Sequence, residues 1–326
     1  MKLRLTFLLF ILFSFEINIK ADTFKVEIVD GYPNKTIKNI IEKNATELLN
    51  CLDRSFVNNT ESVSFGNLQV TEEAKETINT IWSSSKFRCI KENIKETMLK
   101  TSSGYEIRNL PVALDSLQEE IVLAFNTQGI VSDVFFSVSQ HQYKNVTSRN
   151  AVIDETRKNI IRDFLETLKT AYMKKDADFI DMVLSDKALI IVGKTVKQTD
   201  KKSFRITDTN KHTLYSEGSN STYKRMTKSE YVNGLRGVFK RNKNILINYK
   251  DIEILPHRKS GYETFYGVRL KQKWQADNYS DYGILFFVIQ FRENDNPLIW
   301  VRVWQDANST PASEQIGLGE ILIQPN

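Results

Sequence analysis

The stretch FLETLKTAYMKKDADFIDMVLSDKALIIVGKTV, residues 164–196, constrains the fold more than any other part of the chain. Phe164, Leu165, Leu168, Ala171 and Tyr172, preceded by Ile160 and Ile161, recur at intervals of three and four and lay one apolar stripe along a helix. Asp176 stands where a cap is needed for a short second helix carrying Phe179, Ile180, Val183 and Leu184. Ser185-Asp186 then reads as a turn into the strand ALIIVGKTV. A helix, a short helix and a strand in 40 residues need a sheet to pack against, and the sequence beyond supplies one.

Residues 197–226 are polar and lack periodicity, which suits a lid, a binding loop or disorder, or else a hairpin built on SFRIT and KHTLYS. Thr227-Lys228-Ser229-Glu230 is a capping box, and the helix it opens presents Tyr231, Val232, Leu235, Val238 and Phe239. The strands NILINYKDIEIL, YETFYGVRLKQKWQ, YGILFFVIQF and LIWVRVWQ follow, and IGLGEILI reads as a short closing strand. Its Gly-Leu-Gly precedes no helix and is no phosphate loop.

The first half has its own order. FKVEIV is a strand, and Ile37, Ile40, Ile41, Leu48, Leu49, Leu52 and Phe56 mark a helix. Thr71, followed by Glu72 and Glu73, caps a second helix with Ala74, Ile78, Ile81 and Trp82 on its apolar side. Residues 89–99 fit a strand or a short helix, the strand favoured by the turn that follows, then comes GYEIRNLPVAL, and EEIVLAF and IVSDVFFSV flank the turn NTQG. The polar run VTSRNAVIDETRKN separates the halves, with the boundary near residue 150.

Residues 1–21 differ in kind: Lys2 and Arg4, the apolar run LTFLLFILFSF, then a polar stretch ending in Ala21. This is the order of a secretory leader cleaved after Ala21, and the apolar run is far short of the roughly 20 residues that span a bilayer. The expected domains are therefore a leader, residues 22–150 and residues 151–326, in an exported chain, periplasmic or extracellular. Without the leader the net charge falls from +5 to +3, which gives no electrostatic case for nucleic acid. Export lets a Cys51–Cys89 disulfide persist, and two buried free thiols are the alternative. His141, His212 and His257 are scattered, so no metal site or histidine triad is expected, and no cofactor fingerprint is present.

Two helices, a strand, a third helix and four long antiparallel strands give the second half its order. The residues DFLETLKTAYMKKDADFIDMVLSDKALIIVG, with the final strands through WVRVWQ, resemble the nuclear transport factor 2-like domain of ketosteroid isomerases and SnoaL-like cyclases. The resemblance spans Arg157 to Gln305, and YGVRLKQKW, YSDYG and VRVWQ are also similar to exported bacterial proteins with this domain at the C-terminus. It implies an α+β fold, a cone-shaped roll of three helices against a curved antiparallel sheet, with a pocket at the open end. AFNTQGIVSDVFFSV resembles the closing hairpin of such a domain, which leaves the smaller N-terminal α+β domain as a degenerate copy or a cystatin-like roll.

Alternation places Tyr266, Val268, Leu270, Gln272 and Trp274 on one strand face, and Tyr266, Gln272 and Trp274 are candidate pocket residues. Tyr172 and Tyr231 are candidate hydroxyl donors, and Asp186 and Asp281 stand at strand entrances. Each also has a plain role in packing or turns, and no inward residue is an unambiguous carboxylate base. Trp300, Arg302 and Trp304 alternate along the last strand as a candidate interface, for a homodimer through the C-terminal sheet or for cover by the chain's own first half. The expected function is a non-enzymatic binding or protein-interaction module, for a small apolar molecule or an envelope protein. The alternative is a small-molecule isomerase, cyclase or lyase.

Overall fold

The computed structural model describes residues 24–114, 117–138, 153, 155–195, 213–215, 221–257, 261–277, 279–291, 297–312 and 315–318. The leader, the boundary near residue 150 and SFRIT lie outside the described residues. The described chain is mixed α+β, with five helices and two sheets.

The first sheet comprises β1 (Lys25–Asp30), β2 (Arg88–Cys89), β3 (Asn93–Thr101), β4 (Gly104–Leu114), β5 (Leu117–Asn126) and β6 (Val131–Phe136). Its order is β1-β3-β4-β5-β6, with β2 added on β4, and β1 runs parallel to β3. Two helices share one core with it, α1 (Lys35–Val57) and α2 (Glu72–Ser84). Asn34 and Thr71 accept the Ile37 and Ala74 N–H groups and so cap them. The turn NTQG closes as expected, with Gly129 at φ 79° and no room for a side chain beside Ile40.

An outer strand of a sheet leaves a row of backbone groups unpaired. On β1 this row is closed by a helix. The N–H groups of Phe24, Val26 and Ile28 donate to Asn50 Oδ1 (3.1 Å), Thr46 Oγ1 (3.0 Å) and Glu42 Oε1 (2.7 Å) of α1. The match is geometric: two strand residues advance about 6.6 Å and four helix residues about 6 Å, so successive donors meet successive turns. Replacing Asn50 with alanine leaves the Phe24 N–H, and the Phe24 carbonyl that Asn50 Nδ2 also binds, without these partners. The expected loss is about 1–3 kcal/mol, read as a lower urea midpoint at unchanged m.

The second half contains α3 (Glu155–Met173), α4 (Ala177–Val183), β7 (Leu184–Thr195), β8 (Thr213–Tyr215), β9 (Ser221–Met226) and α5 (Lys228–Arg241). The strands β10 (Ile245–Pro256), β11 (Phe265–Ala276), β12 (Tyr279–Gln290) and β13 (Leu298–Asp306) complete it. The sheet order is β10-β11-β12-β13-β7-β9-β8. Asp176 caps α4, and Thr227 and Glu230 form the capping box of α5.

Four expectations change. The polar stretch before Met226 contributes two strands, with Thr213–Tyr215 of KHTLYS pairing as β8 with Ser221–Met226. Part of the supposed linker is already helical, because α3 begins at Glu155. Leu184, Ser185 and Asp186 belong to β7 rather than to a helix end and a turn. The start of IGLGEILI, Ile316 to Leu318, is not a strand; it lies over β11 and β13, where the Ile316 N–H donates to Gln305 Oε1 and Arg269 donates to the Ile316 carbonyl. The rest of that segment lies outside the described residues.

The halves meet on α3. Along β5 and β6, Ile121, Leu123, Phe125 and Val134 pack with α1 and α2, whereas Val122, Ala124 and Phe135 join the core of the second half. One sheet thus serves two cores through its alternation. Its α3 side also carries charge: Glu106 and Arg108 pair at 2.7 Å, and Glu166 and Lys169 of α3 pair at 2.8 Å, all buried. Cys51 and Cys89 are both buried and not bonded to each other. Cys51 neighbours Glu47 and Arg54, and burial pushes its thiol up to about 11, which leaves it protonated and unreactive at neutral pH.

Candidate functional site

One face of the second sheet can be followed from strand register, since directly paired residues share a face. Val268, Leu270, Gln272 and Trp274 of β11 pair with Phe287, Leu285, Gly283 and Asp281 of β12. Phe287 and Leu285 in turn pair with Arg302 and Trp304 of β13, while Tyr249 of β10 pairs with Gln272. This brings Gln272, Trp274, Asp281, Arg302 and Trp304 onto one surface, joined by Tyr249.

Tyr172, in the last turn of α3, and Tyr231, in the first turn of α5, face this surface. Their hydroxyls hydrogen-bond each other at 2.7 Å, and Tyr172 packs edge-on against Trp274 with ring centroids 6.0 Å apart. The Arg302 guanidinium lies over the Tyr231 ring at 4.9 Å, and the Tyr172 hydroxyl is among its hydrogen-bonding neighbours. Four of the expected pocket residues, Tyr172, Tyr231, Gln272 and Trp274, are therefore together. Tyr266 is not with them: it packs on Phe291 and Arg157, near the start of α3.

The expected interface on β13 is corrected. A bulge between Val288 and Ile289 makes Trp300 the extra residue, which interrupts the alternation. Trp300 packs on Phe265 and donates to Gln290 Oε1, while Arg302 and Trp304 are buried in the core, 7% and 3% exposed. The three do not form one outer patch. The described residues of the first half that join this core, Val122, Ala124, Phe135 and Val138, do so with α3, and Ile316 and Leu318 join it beside the outer side of β11.

Trp304 fits because two positions lack side chains. A Cβ at Gly193 or Gly283 would fall 2.0 Å from its indole ring.

The polar atoms of this interior are incompletely matched. Arg302 Nε and Nη1, Trp304 Nε1, Tyr249 Oη and Asp281 Oδ1 are buried without a hydrogen-bond partner. Burial works against the Arg302 charge, yet the oxygens of Tyr231, Tyr172 and Tyr249 around it prevail and its pKa moves upward, so the cation persists. Burial raises the Tyr231 and Tyr249 hydroxyls above the ordinary phenol range, which keeps them neutral donors. Burial also raises the Asp281 carboxyl, against the Tyr279 hydroxyl that donates to it at 2.8 Å and against the Arg302 charge. The result is a fixed cation beside three phenols, with a carboxyl of raised pKa towards the strand ends.

Sequence reasoning had set Arg302 on an interface and had not singled out Tyr249. The signal for Tyr249 was present: Ile245, Ile247 and Tyr249 alternate along β10 and are all buried. Asp186, the other acidic candidate, is exposed and pairs with Lys228 at 2.9 Å on the surface. Among the described residues no group of His, Cys, Asp and Glu is arranged to hold a metal ion. No described helix is long and apolar enough to cross a membrane.

No protein-family model and no curated protein matches the chain. Among solved structures, an NTF2-like protein of unknown function from Pseudomonas putida KT2440 is similar at 9% identity and TM-score 0.32, covering 50% of this chain and 95% of that one. Bd1075 from Bdellovibrio bacteriovorus is similar at 12% identity and TM-score 0.33, covering 54% of this chain and 46% of that one. The helical cell shape determining protein Pgp2 from Campylobacter jejuni is similar at 13% identity and TM-score 0.33, covering 54% and 53%. This chain thus spans about half the length of the last two, and likenesses so distant assign it to no family.

Proposed function

We propose that this is an exported, non-enzymatic binding protein whose C-terminal cone, nuclear transport factor 2-like by sequence resemblance, takes a small molecule with an acidic or carbonyl oxygen against Arg302. One observation carries the reading. A guanidinium 7% exposed keeps Nε and Nη1 without acceptors, and a buried donor left unpaired costs free energy that a ligand acceptor would recover. The phenols of Tyr172 and Tyr231 offer a second contact, and Trp274, Leu270 and Phe287 provide an apolar wall. Entry is from the strand ends at Asp281 and Tyr279, since the interior side chains are tightly packed and must shift to admit a guest.

A second reading is supported by Asp281. A half-buried carboxyl with a raised pKa and an unpartnered oxygen, set in a cone with tyrosine hydroxyls, suits proton transfer by an isomerase, cyclase or lyase. The first reading is preferred because Asp281 is held by Tyr279 and stands beside Trp274 and Asp306, whereas the hydroxyl pair lies with Arg302.

Native mass spectrometry of the chain from Asp22 to Asn326, purified from an oxidising compartment, tests the binding reading. A co-purifying small molecule that is absent from the Arg302→Met variant is the expected result. A ligand-free wild-type protein that stays empty when offered aliphatic and aromatic carboxylates would overturn it.

A further inference from the structure

A separate cleft of about 370 Å³ lies between the two halves, where the β3–β4 turn approaches α3 and the start of α4. Its size falls in the range of small-molecule pockets, which favour such junctions. Leu99, Ala171 and Phe179 contribute apolar surface to it. The α3 helix crosses the first sheet over β5 and β6, and beyond it the Leu99 side chain on β3 is left 37% exposed.

The polar lining is richer in open donors than in open acceptors. Thr170 is 6% exposed, lines the cleft, and its Oγ1 has no hydrogen-bond partner. One helical turn away, Thr167 Oγ1 donates to the Asp163 carbonyl at 2.8 Å and receives stretched contacts of 3.4 Å from both Arg108 terminal nitrogens, whose Nη2, with Nε, is also held by Glu106. Lys100 adds an exposed ammonium at the rim. The carboxylates that line the cleft are engaged: Asp176 accepts from Ser102 at 2.6 Å and caps Phe179, and Asp163 pairs with Arg162 at 3.3 Å. Lys174 is likewise engaged, by Asp133 at 2.7 Å.

We propose that this cleft is a binding site for a small carboxylic acid with an apolar body. The carboxylate accepts from Thr170 Oγ1 and from Arg108 Nη1, the guanidinium nitrogen that Glu106 does not hold, Lys100 adds its charge, and the hydrocarbon part lies on Leu99, Ala171 and Phe179. Charge-assisted bonds to a carboxylate in a partly desolvated cleft give specificity as well as affinity. The site is independent of the cone, because none of its residues is in the Arg302 cluster.

Isothermal titration of the Asp22–Asn326 chain with benzoate, together with amide shift mapping, tests it. Saturable binding is expected, with shifts concentrated in Leu99 to Ser103 and Thr167 to Lys174. Thr170→Val, which keeps the shape and removes the hydroxyl, and Lys100→Ala, on the surface, should each weaken binding at least fivefold. Absence of benzoate binding would overturn the proposal. So would binding that survives both cleft variants and disappears in Arg302→Met, an outcome that would favour the cone instead.

Discussion

Lys169→Met is expected to lose about 3–5 kcal/mol of folding stability, the cost of breaking a buried ion pair from one side. Lys169 is 1% exposed, pairs with Glu166 at 2.8 Å, donates to the Phe136 carbonyl and lies 5.2 Å from the Phe135 ring centroid. Burial holds its ammonium below the ordinary lysine range, against the pull of Glu166, so the charged form is kept in the fold at a cost. Removing the cation alone leaves the Glu166 carboxylate buried without its counterion, and Glu106 of the first sheet lies in the same neighbourhood. Burial already raises the Glu106 carboxyl, so its ionised form is the one that suffers. The double variant Glu166→Gln, Lys169→Met should recover part of the loss, because no uncompensated charge is then added. Urea unfolding followed by tryptophan fluorescence measures both. A loss below about 1 kcal/mol for Lys169→Met would mean that α3 is not sealed against the first sheet, since an exposed pair contributes no more than that.

Arg302→Met should have the opposite signature. The methionine fills similar space, removes a desolvated charge and leaves Tyr172 and Tyr231 bonded to each other. Stability is expected to be unchanged or to rise, by about 1–4 kcal/mol, as when buried charges are replaced by apolar groups of similar volume. Ligand affinity is expected to fall about tenfold to a hundredfold, the value of a hydrogen bond to a charged group. Thermal unfolding and titration with the ligand recovered from wild type give the two readings. Loss of both stability and folding cooperativity would instead make Arg302 a structural residue of the core, held by Tyr231 and Tyr172.

The elements were legible because their signals are local. The capping box at Thr227, the cap at Asp176, the turn at Gly129 and the period-two faces of β11 depend on residues within one or two turns of each other. For the same reason Tyr172 and Tyr231 could be named as partners for a pocket before their contact was known. The bulge on β13 was not legible, because LIWVRVWQ alternates perfectly in isolation and only pairing with β12 shows that Trp300 is the surplus residue. Nor was the packing of this interior, which depends on how closely Trp304 can approach Gly193 and Gly283 across three strands.

By itself, then, the sequence determined most of the helices and strands and, away from the bulge on β13, which residues of each share a face, since dihedral preference, capping and apolar period act over short distances. Tertiary structure alone decided that α3 is buried on two sides. Glu166 and Lys169 read along the chain as the solvated face of an amphipathic helix, and they become interior only because a sheet from the other half, with Glu106 and Arg108 turned the same way, closes over them. Burial of charge depends on what lies opposite, and the chain brings those groups together only on folding.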